Sequence, residues 1–217
     1  MSEIITLDMN TPSVQYLCKK DKRLAKVISM VGPITYEPHD GDPYSHMIHE
    51  IIEQMMSIKA GQAIYRRLET LCDGSITPDT ISRLSDEAIR NCGTSNAKVS
   101  FIRELTTAVV NKTLVFADLT DMADAEVMSK LTSIRGIGFW TAKMYLIFIL
   151  NRQDVLPFED GAFLQAYRWL YKTDDSKPSS IKNKCQKWRP YSSIAARFLY
   201  KALDSGYTKS EFHLYKE

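Results

Sequence analysis

The stretch Leu131-Thr-Ser-Ile-Arg-Gly-Ile-Gly-Phe-Trp-Thr-Ala142 constrains the fold more than any other part of the chain. Amphipathic patterning predicts a short helix from Asp124 to about Ser133, and a largely apolar segment predicts another from Phe139 to about Asn151. Arg135-Gly136-Ile137-Gly138 must therefore turn the backbone tightly between them. Glycine tolerates positive φ and lets backbone approach a ligand closely. The N–H groups freed in such a turn, with the positive end of the helix that follows, make an anion site sized for a phosphate. The second half of the 139–151 segment is apolar on every side, which predicts a buried central helix.

Helical signals dominate elsewhere. Met47, Ile48, Ile51, Ile52, Met55 and Met56 recur at i and i+4 and read as one apolar stripe on one helix. Ser57 can cap the next, which runs to about Cys72 before Asp73-Gly74. Thr77-Pro78 sets an N-cap before a proline at the first helical position. Ser85 opens a helix that ends at Gly93, and Ser95 caps one running through Lys98, Ile102, Leu105 and Val109. Further helices are expected near 160–171, 180–187 and 191–204. Asp154–Pro157 reads as a loop, because proline disfavours helix for the residue before it. No Asn-Gly or Asp-Gly hairpin joins alternating apolar runs, so the expected fold class is all-α, with roughly ten helices.

At 44% apolar and 25% charged residues, the 217-residue chain is too apolar for disorder and long enough for one large domain or two lobes. Its longest strongly apolar run, Met144–Leu150, falls far short of the ~20 residues of a membrane span. The first ten residues lack the basic and apolar regions of a signal peptide. Cys18, Cys72, Cys92 and Cys185 are too scattered for a disulfide framework, a zinc site or an iron–sulfur cage. A reduced, intracellular and soluble protein is expected, with no membrane partner. Net charge is 28 − 26 = +2, unevenly spread: residues 1–159 carry 17 basic and 20 acidic side chains, and residues 160–217 carry 11 and 6. Lys177, Lys182, Lys184, Lys187 and Arg189 follow one another with no acid between, which fits an anionic partner and a solvated basic face equally well.

Several segments fall into one ordered pattern. Leu131–Ala142 matches Leu-x-x-Leu-Pro-Gly-Ile-Gly-x-Trp-Thr-Ala, and Asp154-Val-Leu-Pro-Phe-Glu-Asp160 follows it as Asp-Val-x-Pro-x-x-Asp. Gln54-Met-Met-Ser-Ile-Lys-Ala60 precedes them as Gln-x-x-Ser-x-x-Ala, and Gly93-Thr-Ser-Asn-Ala-Lys98 as Gly-x-Ser-x-x-Lys. Trp188-Arg-Pro-Tyr191 with Ala195-Ala-Arg-Phe-Leu-Tyr200 closes the set. Over roughly residues 22–203 the chain resembles the helix–hairpin–helix DNA glycosylase superfamily, in particular its 3-methyladenine glycosylase II branch. It departs from that pattern at Arg135, where the family usually has proline, and at Gly161, where a large side chain often follows the aspartate. The N-terminal β-domain of some bacterial relatives does not fit into the residues before Pro43.

The resemblance implies a two-lobed helical fold with an active-site cleft between lobes, one lobe of residues 47–153 and the other of 1–46 with 154–217. It implies excision of alkylated purines, of the 3-methyladenine and 7-methylguanine class, from double-stranded DNA. Asp160 is then the catalytic carboxylate, stabilising an oxocarbenium-like sugar or deprotonating the attacking water. Read locally, the same residue is an ordinary N-cap, and Glu159 is a weaker candidate. Trp140 stands where bifunctional members carry a lysine nucleophile, which implies a monofunctional enzyme using water. Its indole would stack on an extruded cationic base, worth roughly 0.5–2 kcal/mol. Tyr145, Tyr191 and Trp188 are further aromatic candidates, and core packing competes for all four. Gln54 and Met55 match the wedge that fills the gap left by a flipped base, against Met55 as one more member of the apolar stripe. Arg135, Gly136, Gly138 and Thr141 would meet the DNA phosphates, so Gly136→Ala and Gly138→Ala are both expected to weaken binding to all sequences alike. Carbonyls of Thr132, Ile134 and Ile137 would hold a Na+ or K+ ion. No other cofactor is expected, no iron–sulfur cluster, and a monomer. His46 and His49 lie at i, i+3 without a third ligand and read as surface or rim histidines. A glycosylase with another base preference and a non-enzymatic DNA-binding hairpin module are the alternatives.

Overall fold

Side-chain caps start seven of the twelve described α-helices in the computed structural model, which describes residues 4–37 and 42–215. In chain order the elements are β1 (Ile5–Leu7), α1 (Pro12–Lys20), α2 (Lys22–Val31), β2 (Ile34–Tyr36), α3 (Pro43–Glu53), α4 (Ile58–Leu71), α5 (Pro78–Arg83), α6 (Asp86–Asn91), α7 (Asn96–Val110), α8 (Asp124–Thr132), α9 (Phe139–Met144), α10 (Gly161–Tyr171), α11 (Pro178–Cys185) and α12 (Ser192–Asp204). None of the described helices is long and apolar enough to cross a membrane. The described residues divide into two compact units, one within Met1–His39 and Leu150–Glu217, the other within Asp40–Ile149.

In the unit within Asp40–Ile149 the predicted caps are all in place. Ser57, Ser85 and Ser95 accept from Ala60 N, Ala88 N and Lys98 N at 3.3, 3.1 and 3.3 Å. Thr77 and Thr80 cap each other's backbone at the start of α5. On α3, Met47, Ile48, Ile51 and Ile52 are buried as the apolar stripe requires. The stripe stops there. α3 ends at Glu53, Gln54 turns away at ψ 124°, Met55 adopts φ +57°, and both Met55 and Met56 are exposed. The apolar segment after Gly138 also differs from expectation: α9 is α-helical only to Met144 and continues as one π-helical turn, Tyr145–Ile149. Tyr145, Leu146 and Ile147 are buried, so wide-turn geometry replaces a regular helix while the core is kept.

In the other unit, two features lie outside the sequence expectation. β1 and β2 form a two-stranded antiparallel pair with Thr6 opposite Thr35, each too short to show an alternating pattern. Between them, α1 and α2 form from Thr11-Pro12 and Asp21, the same start signals read correctly at Thr77-Pro78 and Ser85. Asp21 is the hub. Its Oδ1 accepts from Arg23 N and Leu24 N, capping α2. Its Oδ2 accepts from Trp188 Nε1 at 2.9 Å and from the Tyr171 hydroxyl, and pairs with Lys187 Nζ at 3.1 Å. Trp188 is buried and stacks on Tyr171, so it is a core residue. The basic run is used locally as well: Lys182 sits over the Phe158 ring, Lys184 and Lys187 over Tyr171, and Arg189 pairs with Asp154.

Burial opposes the charge of Asp21, but the bonds from Tyr171, Trp188 and Lys187 outweigh it and hold its carboxyl below the ordinary 3.8. A depressed folded-state pKa adds stability that is present above the ordinary value and lost as pH falls through the folded-state value. Asp21→Asn keeps a cap acceptor and removes the charge. It is expected to cost about 2–4 kcal/mol at neutral pH and to flatten the acid side of the stability profile. Denaturant midpoints from pH 7 down to 3 check this; an equally steep acid loss in the variant would contradict it.

Candidate active site

The hairpin is built from the apolar residues on either side of its turn. Leu131, Ile137 and Ala142 are buried and anchor α8, the turn and α9 to one core. Ile134 N donates to Leu131 O and Ile137 N to Ile134 O, both at 3.1 Å, and Ala142 N closes the first turn of α9 on Gly138 O. The two glycines do different work. Gly136 has φ +95°, and a Cβ there would lie 2.1 Å from Cγ of Phe101, on α7. Gly138 has an ordinary φ of −90°, and a Cβ there would meet nothing within 4 Å. Gly136 is thus required by the fold, and Gly138 is where backbone lies open to an approaching group. Arg135 is exposed beside it. Phe139, which sequence reading passed over, is 64% exposed at the first position of α9. Trp140 is half-buried.

Thr141 faces inward. It is buried, and its hydroxyl accepts from Gln54 Nε2 at 3.0 Å, so its side chain serves the protein rather than an outside phosphate. The same Gln54 amide donates to Gly136 O at 2.8 Å. Gln54 therefore clasps the hairpin, and of the expected wedge pair only Met55 projects fully into solvent. Tyr145 is buried with its ring 5.7 Å from that of Phe116. His46 and His49 each sit against the carboxylate four residues on, Glu50 at 3.3 Å and Glu53 at 3.4 Å. Burial lowers the His49 pKa and raises that of Glu53. Among the described residues no group of three His, Cys, Asp or Glu is arranged to hold a metal ion. The carbonyls of Thr132, Ile134 and Ile137 belong to the end of α8 and the turn beyond it, where backbone acceptors outnumber helical donors. An all-oxygen set of this kind suits a hard cation.

Asp160 lies in the other unit. It is the N-cap of α10, 9% exposed, with Oδ1 accepting from Phe163 N at 2.6 Å. The loop before it is fastened to the start of α12. Asp154 accepts from Ser192 Oγ at 2.6 Å and Arg189 Nε at 2.8 Å, and Val155 N donates to Ser193 Oγ at 2.9 Å. Asp160 N then donates to Pro157 O. Ser192 and Ser193 escaped sequence reading, because serine at a helix start signals only a cap. The result is a carboxylate held at both its backbone and its side chain, at the edge of the buried interior. Glu159 beside it is exposed, and Tyr191 is half-buried, edge-on to Tyr16 at 5.4 Å.

A sequence profile of the HhH-GPD superfamily of base excision DNA repair proteins matches residues 48–190, from α3 through both the hairpin and Asp160. The chain belongs to that superfamily. Among HhH-GPD proteins it sides with the branch whose members are named 3-methyladenine glycosylases. It is 28% identical to DNA-3-methyladenine glycosylase 1 of Schizosaccharomyces pombe, over 89% of this chain and 88% of that one. It is 30% identical to the alkylbase DNA glycosidase-like protein mag2 of the same yeast, over 86% and 90%. The crystal structure of a DNA-3-methyladenine glycosidase from Bacillus halodurans superposes with a TM-score of 0.83 at 33% identity, covering 97% of each chain. A Schizosaccharomyces pombe 3-methyladenine DNA glycosylase in complex with abasic DNA gives 0.81 at 26% identity, covering 95% of this chain and all of that one.

Proposed function

We propose that this DNA glycosylase hydrolyses the N-glycosidic bond of alkylated purines, of the 3-methyladenine and 7-methylguanine class, in double-stranded DNA, with water as the nucleophile. The observation that carries the chemistry is the doubly held, nearly buried carboxylate of Asp160 in a chain whose relatives bear 3-methyladenine glycosylase names. As the base departs, positive charge builds on the sugar, and a fixed carboxylate stabilises it or takes a proton from the incoming water. An alkylated purine is already cationic and leaves readily, so little acid assistance is needed.

The target base must first leave the duplex, at a few kcal/mol of unstacking and unpairing. Met55, fully exposed on a tight turn, is the apolar side chain that fills the gap. Trp140 gives the cationic base a π-face, and Tyr191 is a further aromatic surface. Gly138 and Arg135 hold phosphate without reading sequence. The carbonyls of Thr132, Ile134 and Ile137 would hold a Na+ or K+ ion, which would add positive charge to the hairpin. With tryptophan at position 140, that position offers no amine to attack the sugar, so an intact abasic strand is the product.

Incubation with methylated duplex DNA is expected to release 3-methyladenine and 7-methylguanine, identified by chromatography, with no strand break until alkali is added. Borohydride in the same reaction is expected to trap no covalent protein–DNA adduct. Release of a different base class, or a trapped adduct, would overturn the corresponding part of this reading.

A further inference from the structure

The turn that carries Met55 is held from a residue far along the chain. At the end of α3, Lys98 Nζ donates to Ile52 O at 2.6 Å and to Gln54 O at 2.7 Å. These carbonyls lie at a helix C-terminus, where the helix supplies no donors of its own and the dipole is negative. Lys98 itself sits in the first turn of α7, whose cap Ser95 accepts from Lys98 N. A cation there opposes the dipole of its own helix, and burial pulls the Lys98 pKa down. Its placement therefore does nothing for α7, and its two bonds are spent on α3. Gln54, bonded to Lys98 through its carbonyl, reaches the hairpin through its amide, at Gly136 O and Thr141 Oγ1. The next residue, Met55, is a non-glycine in the left-handed region, a conformation that persists only where its surroundings impose it.

We propose that Lys98 is a positioning residue for base extrusion, clamping the carbonyls on either side of Glu53 so that Met55 stays projected beside the hairpin. This rests on reading Met55 as the wedge. The wedge matters when a paired base must be pulled from the stack, and far less when the lesion is already unpaired. Lys98 touches neither the sugar nor the base, so its effect must show in that difference and not in the bond cleavage common to both.

The test compares release of 7-methylguanine from a fully paired duplex and from a one-base bulge, using wild type, Lys98→Met, Lys98→Arg and Met55→Ala. Lys98→Met is expected to lose about tenfold on the paired duplex and no more than about twofold on the bulge, matching Met55→Ala. The double variant is expected to be no worse than the poorer single one, and Lys98→Arg, which keeps a cation able to donate to both carbonyls, to recover most of the loss. Equal losses on both substrates would make Lys98 merely structural and overturn the proposal, as would no loss on either. Lys98→Gln, with fewer donors but a polar end, is judged by the same split if Lys98→Met does not fold. A Met55→Ala defect confined to the paired duplex, with Lys98→Met unimpaired, sinks this proposal alone. Failure of wild type to release any alkylated purine sinks the underlying functional reading with it.

Discussion

Asp160→Asn is expected to lower release of alkylated purines by at least about a hundredfold while leaving the unfolding midpoint where it was. The two halves of that result have different causes. Asparagine caps a helix about as well as aspartate, so its side-chain oxygen can keep the bond from Phe163 N that starts α10. It cannot supply the negative charge that an oxocarbenium-like sugar requires. Asp160→Ala removes both and is expected to cost about 1 kcal/mol of stability besides. Base release under single-turnover conditions, with thermal unfolding of the same preparations, separates the roles. A fully active Asp160→Asn would reduce Asp160 to a cap. A non-enzymatic hairpin module predicts no release from any variant.

Gly136→Ala is expected to destabilise the protein by about 2–4 kcal/mol, whereas Gly138→Ala leaves stability nearly unchanged and weakens DNA binding. At Gly136 a methyl group meets Phe101 at 2.1 Å on a backbone already at φ +95°, so overpacking and left-handed strain add together. At Gly138 the methyl meets nothing in the protein and can obstruct only what approaches from outside. The sequence alone treats the two glycines as equivalent DNA contacts; their environments separate them. Denaturant unfolding checks the first effect. Titration of undamaged duplexes at several salt concentrations checks the second, with a uniform loss and a shallower salt slope expected for Gly138→Ala. Phe101→Ala should relieve part of the Gly136→Ala penalty, a coupling that a double-mutant cycle measures. Two destabilised glycine variants, or two unaffected ones, would contradict the distinction.

Features that are local in the chain were the ones sequence reading reached. Thr77, Ser85 and Ser95 cap their helices because the acceptor and the amide it serves are three residues apart, a spacing any stretch of sequence displays. The Gly-Ile-Gly turn and Asp160 at the head of α10 were legible for the same reason. α1 and α2 carried equally clear signals in Thr11-Pro12 and Asp21. β1 and β2 carried none, since three residues show no alternation and their pairing spans two intervening helices.

The long-range contacts around the hairpin were the illegible part. Met55 and Met56 continue the spacing of Met47, Ile48, Ile51 and Ile52, yet α3 ends before them and turns Met55 outward. Nothing in that local pattern distinguishes a buried methionine from a projecting one; Gln54 bonding to Gly136 and Thr141, and Lys98 bonding to Ile52 and Gln54, make the distinction from far along the chain. Lys182, Lys184 and Lys187 stay exposed but lie over Phe158 or Tyr171, with Lys187 also beside Asp21, contacts that the run of charges does not display. By itself, then, the sequence determined the helical class, the hairpin turn and Asp160 as the cap of α10, since each follows from residues within a turn or two of one another. Only the tertiary structure decided which side chains point out, which glycine the core demands and what holds the aspartate's loop, because those depend on partners that come together only when the chain has folded.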